Sequence, residues 1–251
     1  MLSLVIPIYN ESGHLDEFLR HLDGAQFPIE TEFVFVDDCS SDDSLTQLKS
    51  FSFKNPRVEI VSQEKNQGKG AAVRRGFEIA QGEYIVVQDA DFEYDISEIP
   101  MLLEPLLAGK AEVVYGSRFK KSGHQVHRTF HYLINRFLTI VSNALSGLYL
   151  TDMETCYKLF RAEIIQNIHL QSDRFGFEPE ITAKLARLKV KVFEIPISYF
   201  PRSYMEGKKI TWRDGVAALW HIVHFNVVAN KAGFFKEAMP SKYKVKGAQL
   251  L

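Results

Sequence analysis

Cysteine is scarce in this chain: Cys39 and Cys156 are the only two, far apart and outside any C-x-x-C or zinc-ligand spacing. That excludes a disulfide framework and fits free thiols in a reducing, cytoplasmic setting. An excess of charge is also missing. Lys plus Arg is 30 against 31 for Asp plus Glu, a net charge of -1, so no general nucleic-acid-binding surface is expected and any basic site must be local. Long apolar runs are absent too. The most apolar tail segment, Gly215 to Ala229, is interrupted by His221, His224 and Asn226 and falls short of the roughly 20 residues that span a bilayer. No basic leader opens the chain, and Pro7 breaks its first apolar run, so a signal peptide is not expected. No internal repeat, low-complexity tract or Pro/Gly/Ser linker divides it, which points to one continuous unit over 1–251.

Two nucleotide-binding signatures are missing as well. The first turn, Pro7-Ile8-Tyr9-Asn10-Glu11-Ser12, has no glycine before Gly13, and Glu11 would repel a pyrophosphate, so a dinucleotide-binding dehydrogenase is disfavoured. Asn66-Gln67-Gly68-Lys69-Gly70 lacks both the upstream glycine and the Ser or Thr of a Walker phosphate loop. Its glycines either let the backbone approach a ligand, with Lys69 near a phosphate, or simply start a helix.

What is present is a regular alternation in a chain of 251 residues, 46% hydrophobic and 24% charged. Apolar runs at 3–8, 32–36, 58–62, 83–88 and 112–115 alternate with helix-like segments at 14–22, 42–51, 69–80 and 96–107. Strand, helix, strand in this order predicts an α/β protein with a mainly parallel central sheet flanked by helices and ligands at the carboxyl ends of the strands. Four polar loops, 7–12, 37–43, 63–70 and 89–95, would then gather at one edge.

The last of these loops carries the sharpest signal. The run from Tyr84 ends in Asp89-Ala90-Asp91-Phe92-Glu93, and alternation along an extended chain would put Asp89 and Asp91 on one side with Glu93 two further on. Three converging carboxylates call for a hard divalent cation such as Mg²⁺ or Mn²⁺.

Beyond Gly116 the texture changes. The pattern predicts a long helix over 128–148, another opening at Thr151-Asp152-Met153-Glu154-Thr155, an amphipathic helix near 178–188, a strand over 190–197 and a basic loop over 202–209. Chain organisation is read as one half that carries the four loops (1–115), a second half with a closing loop (116–210) and a helical tail (211–251). That tail either lies in a membrane interface, anchored by Trp212 and Trp220 beside Lys208, Lys209 and Arg213, or packs on the body of the protein.

Taken together, Val5 to Glu11, Phe35 to Asp42, Asn66 to Gly70, Asp89-Ala90-Asp91, Gly116-Ser117-Arg118-Phe119 and the loop from Arg202 to Lys208 make the chain resemble the family 2 glycosyltransferases with the GT-A fold. Within that family it is most similar to the dolichol- and polyprenyl-phosphate sugar transferases. The resemblance implies that Pro7, Tyr9 and Glu11 line a nucleotide pocket, with Val36 and Asp38 on the base and ribose side and Lys69 and Ala90 near the donor. It implies that Asp89 and Asp91, with Glu93 where many members carry Gln, hold Mg²⁺ or Mn²⁺ on the donor diphosphate. Arg118, Arg202 and Lys208 match the family's cationic positions and answer the remaining negative charge; Arg118 and Arg128 would meet an acceptor phosphate.

The implied reaction is an inverting, metal-dependent transfer of a hexose from a GDP-mannose or UDP-glucose type donor to a polyprenyl or dolichyl phosphate. A phosphate acceptor is already anionic, whereas a glycan hydroxyl would need a base. Asp152 and Glu154 are the candidates for one, with helix capping as their alternative reading. The mix of Tyr199, Phe200 and Tyr204 with Arg202, Lys208 and Lys209 suits a headgroup surface, so peripheral contact with the inner face of the membrane, or with a membrane partner, accompanies this reading. The alternatives are a glycosyltransferase acting on a hydroxyl of a cell-envelope or soluble acceptor, a silent nucleotide-sugar-binding scaffold and a nucleotidyltransferase.

Overall fold

The computed structural model describes residues 1–55, 57–120, 129–174, 176–201 and 212–245, with backbone alone at 129–131 and 212–214. Arg128, Arg202, Tyr204, Lys208 and Lys209 lie outside the described residues, as do the side chains of Trp212 and Arg213.

A seven-stranded sheet forms the core, in the order β3-β2-β1-β4-β6-β5-β7. Its strands are β1 (Leu2–Ile8), β2 (Thr31–Asp37), β3 (Val58–Ser62), β4 (Tyr84–Val87), β5 (Val113–Ser117), β6 (Lys158–Arg161) and β7 (Val192–Pro196). β1 and β2 are nearly continuous apolar runs because both of their faces are covered. At the edge, β3 has no fully buried residue. β6 is antiparallel to both neighbours, β4 and β5, and all other pairings are parallel. The carboxyl ends of β4, β5 and β7 therefore share one edge with the residues that enter β6.

β4 pairs with β1 only as far as Val5, while β2 follows β1 to Ile8. The two sides of β1 thus diverge at Pro7, whose missing N–H is tolerated where the ladder to β4 has already ended. This is the switch point between β1 and β4, the crevice at which open sheets of this kind bind ligands.

The helices are α1 (Leu15–Gly24), α2 (Ser44–Ser50), α3 (Lys69–Ile79), α4 (Ile99–Leu107), α5 (Thr129–Ser146), α6 (Ala162–Ile165), α7 (Phe177–Leu185) and α8 (Trp212–Val223). Two expectations fail. No helix opens at 151–155, where an irregular segment leads into β6. Glu194 takes the backbone N–H groups of Thr151 (2.8 Å) and Asp152 (3.1 Å), so the cap-like residues serve a tertiary contact instead.

Nor is α7 amphipathic, for each of its nine residues is buried. Its charges are paired internally: Lys184 binds Glu180 one turn away, both fully buried. Glu180 also accepts the N–H groups of Gln171 (2.8 Å) and Ser172 (2.7 Å).

The tail packs through one face and exposes the other. Ala218, Ile222 and Phe225 are buried as α8 and the following π-turn (His224–Val228) lie on α5 and α7. Val216, Trp220, Val227 and Val228 are each more than half exposed, as are Leu133, Phe137 and Ile140 on one stripe of α5. Among the described residues no helix is long and apolar enough to cross a membrane.

Candidate active site

The loops after β1 and β2 are stitched together by short polar side chains. Asn10 and Ser41 exchange bonds, with the Ser41 N–H donating to Asn10 Oδ1 at 2.8 Å, and the Glu11 N–H donates to Ser44 Oγ at 2.8 Å. Asn10 (φ 53°) and Cys39 (φ 58°) both adopt the left-handed conformation at these turns. Tyr9 stands at the crevice, 36% exposed. Pro7 is partly buried beside it, and Glu11 pairs with His14 at 2.9 Å.

Two residues expected on the base and ribose side make contacts within the protein. Val36 is fully buried in the sheet and presents no side chain to a ligand. Asp38 is the organiser of the third loop: it accepts from Gln63 Nε2 (2.7 Å), Gln67 N (2.8 Å), Asn66 Nδ2 (2.8 Å) and Gly68 N (2.6 Å). Four donors on one carboxylate tie the third loop to the end of β2.

The glycines of that loop are explained by the protein's own backbone. A Cβ at Gly68, which has φ +104°, would sit 2.6 Å from the Asp173 carbonyl oxygen, and one at Gly70 would sit 2.3 Å from that of Ser172. Close approach is required here by residues 172–174.

Lys69, the first residue of α3, does reach the acidic turn. Its ammonium lies 2.8 and 2.9 Å from the two carboxylate oxygens of Asp89, 3.6 Å from Cys156 Sγ and 3.7 Å from Glu178 Oε1. Burial works against that charge, yet Asp89, aided by Cys156 and Glu178, holds Lys69 well above the ordinary lysine range. Burial and then Asp89 push the Cys156 thiol up, so it stays protonated.

Asp91 is buried and accepts the Glu93 N–H at 3.0 Å, and Ala90 just before it is buried. The expected convergence of three carboxylates does not form. Glu93 turns away to accept the Tyr199 hydroxyl at 2.9 Å, and among the described residues no group of three His, Cys, Asp or Glu could hold a metal ion. Asp89 and Asp91 remain as hard oxygen donors that suit Mg²⁺ or Mn²⁺ if a diphosphate completes the coordination.

Arg118 follows β5 at the same edge. It grips Asp152 through Nε (2.7 Å), a terminal nitrogen (2.8 Å) and its own backbone N–H (3.0 Å). Asp152 is fully buried and Arg118 is 8% exposed, with the guanidinium carbon 5.1 Å from the ring centre of Tyr199. Burial opposes the charge, but Asp152 outweighs it and keeps Arg118 firmly protonated. Asp152 therefore caps no helix, and its carboxylate is held by Arg118.

Glu154 is partly buried, and its Oε1 is shielded without a hydrogen-bond partner. Burial, reinforced by Glu178, pushes its carboxyl up to about 8 against the opposing pull of Lys158 and Arg118. Lys158 is fully buried, donates to the Thr155 carbonyl and is pulled down by burial.

Sequence reasoning missed Glu178, Cys156, Tyr94 and Gln88. Tyr94 accepts the Cys156 N–H at 3.1 Å and packs on Tyr157 and Tyr199. Gln88 fixes the acidic turn by donating to the Asp89 carbonyl at 2.9 Å and accepting from the Tyr157 hydroxyl at 2.6 Å.

Comparison with known proteins gives one consistent picture. The family model described as "Glycosyl transferase family 2" matches residues 3–168. A dolichol-phosphate mannosyltransferase of Pyrococcus furiosus is 31% identical over 82% of this chain and 58% of its own length. An undecaprenyl-phosphate mannosyltransferase of Micrococcus luteus is 30% identical over 81% of this chain and 85% of its own. The chain therefore spans less than two thirds of the Pyrococcus relative. Among solved structures, glucosyl-3-phosphoglycerate synthase from Mycobacterium tuberculosis, in complex with Mn²⁺, UDP and glucosyl-3-phosphoglycerate, superposes with a TM-score of 0.68 at 16% identity, over 92% of this chain and 81% of that one. That likeness establishes the fold.

Proposed function

Because the chain belongs to glycosyl transferase family 2, we propose that it moves a hexose from a GDP-mannose or UDP-glucose type donor to a polyprenyl or dolichyl phosphate, with inversion at the anomeric carbon. The observation that carries the acceptor class is the Arg118–Asp152 pair. A sugar hydroxyl would need a base within reach, and the carboxylate best placed to be one is held by a guanidinium. An acceptor phosphate brings an oxygen that is already anionic, so it attacks without losing a proton, and the relatives act on lipid phosphates.

On this reading Tyr9 offers a flat face to the base and Glu11 an acceptor to the nucleoside, at the switch point between β1 and β4. Asp89 and Asp91 would hold Mg²⁺ or Mn²⁺, which when bound stabilises the charge growing on the nucleoside diphosphate leaving group. Lys69, in contact with Asp89, and Arg118, after β5 at the same edge, add positive charge there. Arg202 and Lys208 complete the cationic set on the donor, and Arg128 joins Arg118 at the acceptor phosphate. The apolar stripes of α5 and α8 suit peripheral contact with the lipid surface where such an acceptor resides.

The deciding experiment is nucleotide release from a panel of donors with Mn²⁺ or Mg²⁺, with and without undecaprenyl or dolichyl phosphate. Lipid-dependent release of GDP or UDP is expected. Release that depends instead on a glycan or soluble hydroxyl acceptor would overturn the acceptor assignment.

A further inference from the structure

The acidic turn already has a cation on it. Lys69 contacts both oxygens of Asp89 and lies 3.7 Å from a second carboxylate, Glu178, which is 7% exposed on its side chain. The root of Lys69 is fixed. Gly68 before it is tied to Asp38 at 2.6 Å and wedged against Asp173, and Gly70 after it is wedged against Ser172. Only the flexible four-carbon stem is left to move. The formal charges of Asp89, Asp91, Glu178 and Lys69 leave minus two, which one divalent ion cancels.

We propose that Lys69 is the exchangeable cation of this site: it neutralises Asp89 in the donor-free protein and cedes that carboxylate to the metal–diphosphate, remaining on Glu178. The inference rests on the reading of Asp89 and Asp91 as metal-holding residues. Glu178 is essential to it, because an ammonium displaced into a buried setting without a carboxylate would be strongly penalised. A divalent ion alone must compete with the ammonium for Asp89, so it binds weakly. A nucleoside diphosphate brings further oxygen ligands and tips the exchange.

Mn²⁺ binding followed by electron paramagnetic resonance, without turnover, tests this. In the intact chain, Mn²⁺ alone should bind weakly and GDP or UDP should strengthen it. Lys69→Met keeps the stem and removes the charge; it should tighten binding of Mn²⁺ alone about tenfold or more and shrink the strengthening by nucleotide. Lys69→Gln should act the same way, guarding against a folding defect peculiar to one variant. Glu178→Gln should weaken Mn²⁺ binding more in the intact background than in Lys69→Met, a coupling that a double-mutant cycle reads directly.

Unchanged or weaker Mn²⁺ binding in both folded Lys69 variants overturns the exchange. Additive effects of Lys69→Met and Glu178→Gln overturn the part given to Glu178. A protein that binds no Mn²⁺ in any variant, with nucleotide or without, overturns the metal reading itself, an outcome distinct from both.

Discussion

Arg118–Asp152 and Lys69–Asp89 are both ion pairs at the carboxyl edge of one sheet, yet they are built differently. The first is a planar fork on a carboxylate, reinforced by a backbone N–H, with Asp152 wholly out of water. In the second, a flexible ammonium is shared between Asp89 and Glu178, with about a fifth of each partner of the closer pair exposed. A guanidinium fork is rigid and directional, whereas an ammonium is a point charge on a tether. Permanence in one place and exchange in the other follow from these side chains.

Substitutions can break that contrast or sharpen it. The largest effect is expected beside the second pair. Asp91→Ala should lower metal-dependent transfer by about a thousandfold or more while leaving the denaturation midpoint near that of the parent, and unchanged turnover would remove Asp91 from the metal site. Next in size, Arg118→Ala strands Asp152 in the interior and should cost about 3–5 kcal/mol of folding stability, read by urea denaturation. Lys69→Met should cost less by the same measurement, because Asp89 reaches water and Glu178 keeps the charge of Lys158 nearby. Equal losses for the two variants would erase the distinction.

A smaller effect should appear in pH dependence. Glu154 rises from an ordinary 4.5 to about 8 in the folded protein, through burial and the neighbouring Glu178. The native state then keeps a proton that the unfolded chain has released, so this carboxyl makes stability fall as pH climbs from 4.5 toward 8, by at most about 1.4 kcal/mol per unit. Glu154→Gln should flatten that slope, and a slope that survives the change would assign it elsewhere. Smallest of all for the fold, Trp220→Ser and Phe137→Ser alter exposed positions. They should leave the midpoint within about 0.5 kcal/mol while reducing cosedimentation with phosphatidylglycerol vesicles. Undiminished cosedimentation would take the apolar face out of membrane contact.

The sheet and its acidic turn were legible because their signals are local. Continuous apolar runs marked β1 and β2, and the end of β4 could be read as Asp89-Ala90-Asp91. The partner of Arg118 was not legible as such, since Asp152 is 34 positions away and sits among residues that mimic a helix start. Glu194 overrode that local preference by taking the N–H groups a helix would have used. The same lesson holds for α7. Glu178, Glu180 and Lys184 suggested a wet face, but charges paired inside the protein give the same pattern as charges in water. At Asp38 the sequence reveals that a carboxylate is present, not the four donors that surround it.

The tie from Lys184 through Glu180 has a consequence for how the molecule breathes. Glu180 holds the amides of Gln171 and Ser172, and the carbonyl of Asp173 receives the amide of Ala71 at 3.0 Å. Loop amides usually exchange with solvent through small local openings. Here an opening would have to separate a buried charge pair, so these three amides should exchange deuterium on the slow timescale of the central strands, and the root of Lys69 inherits that stillness.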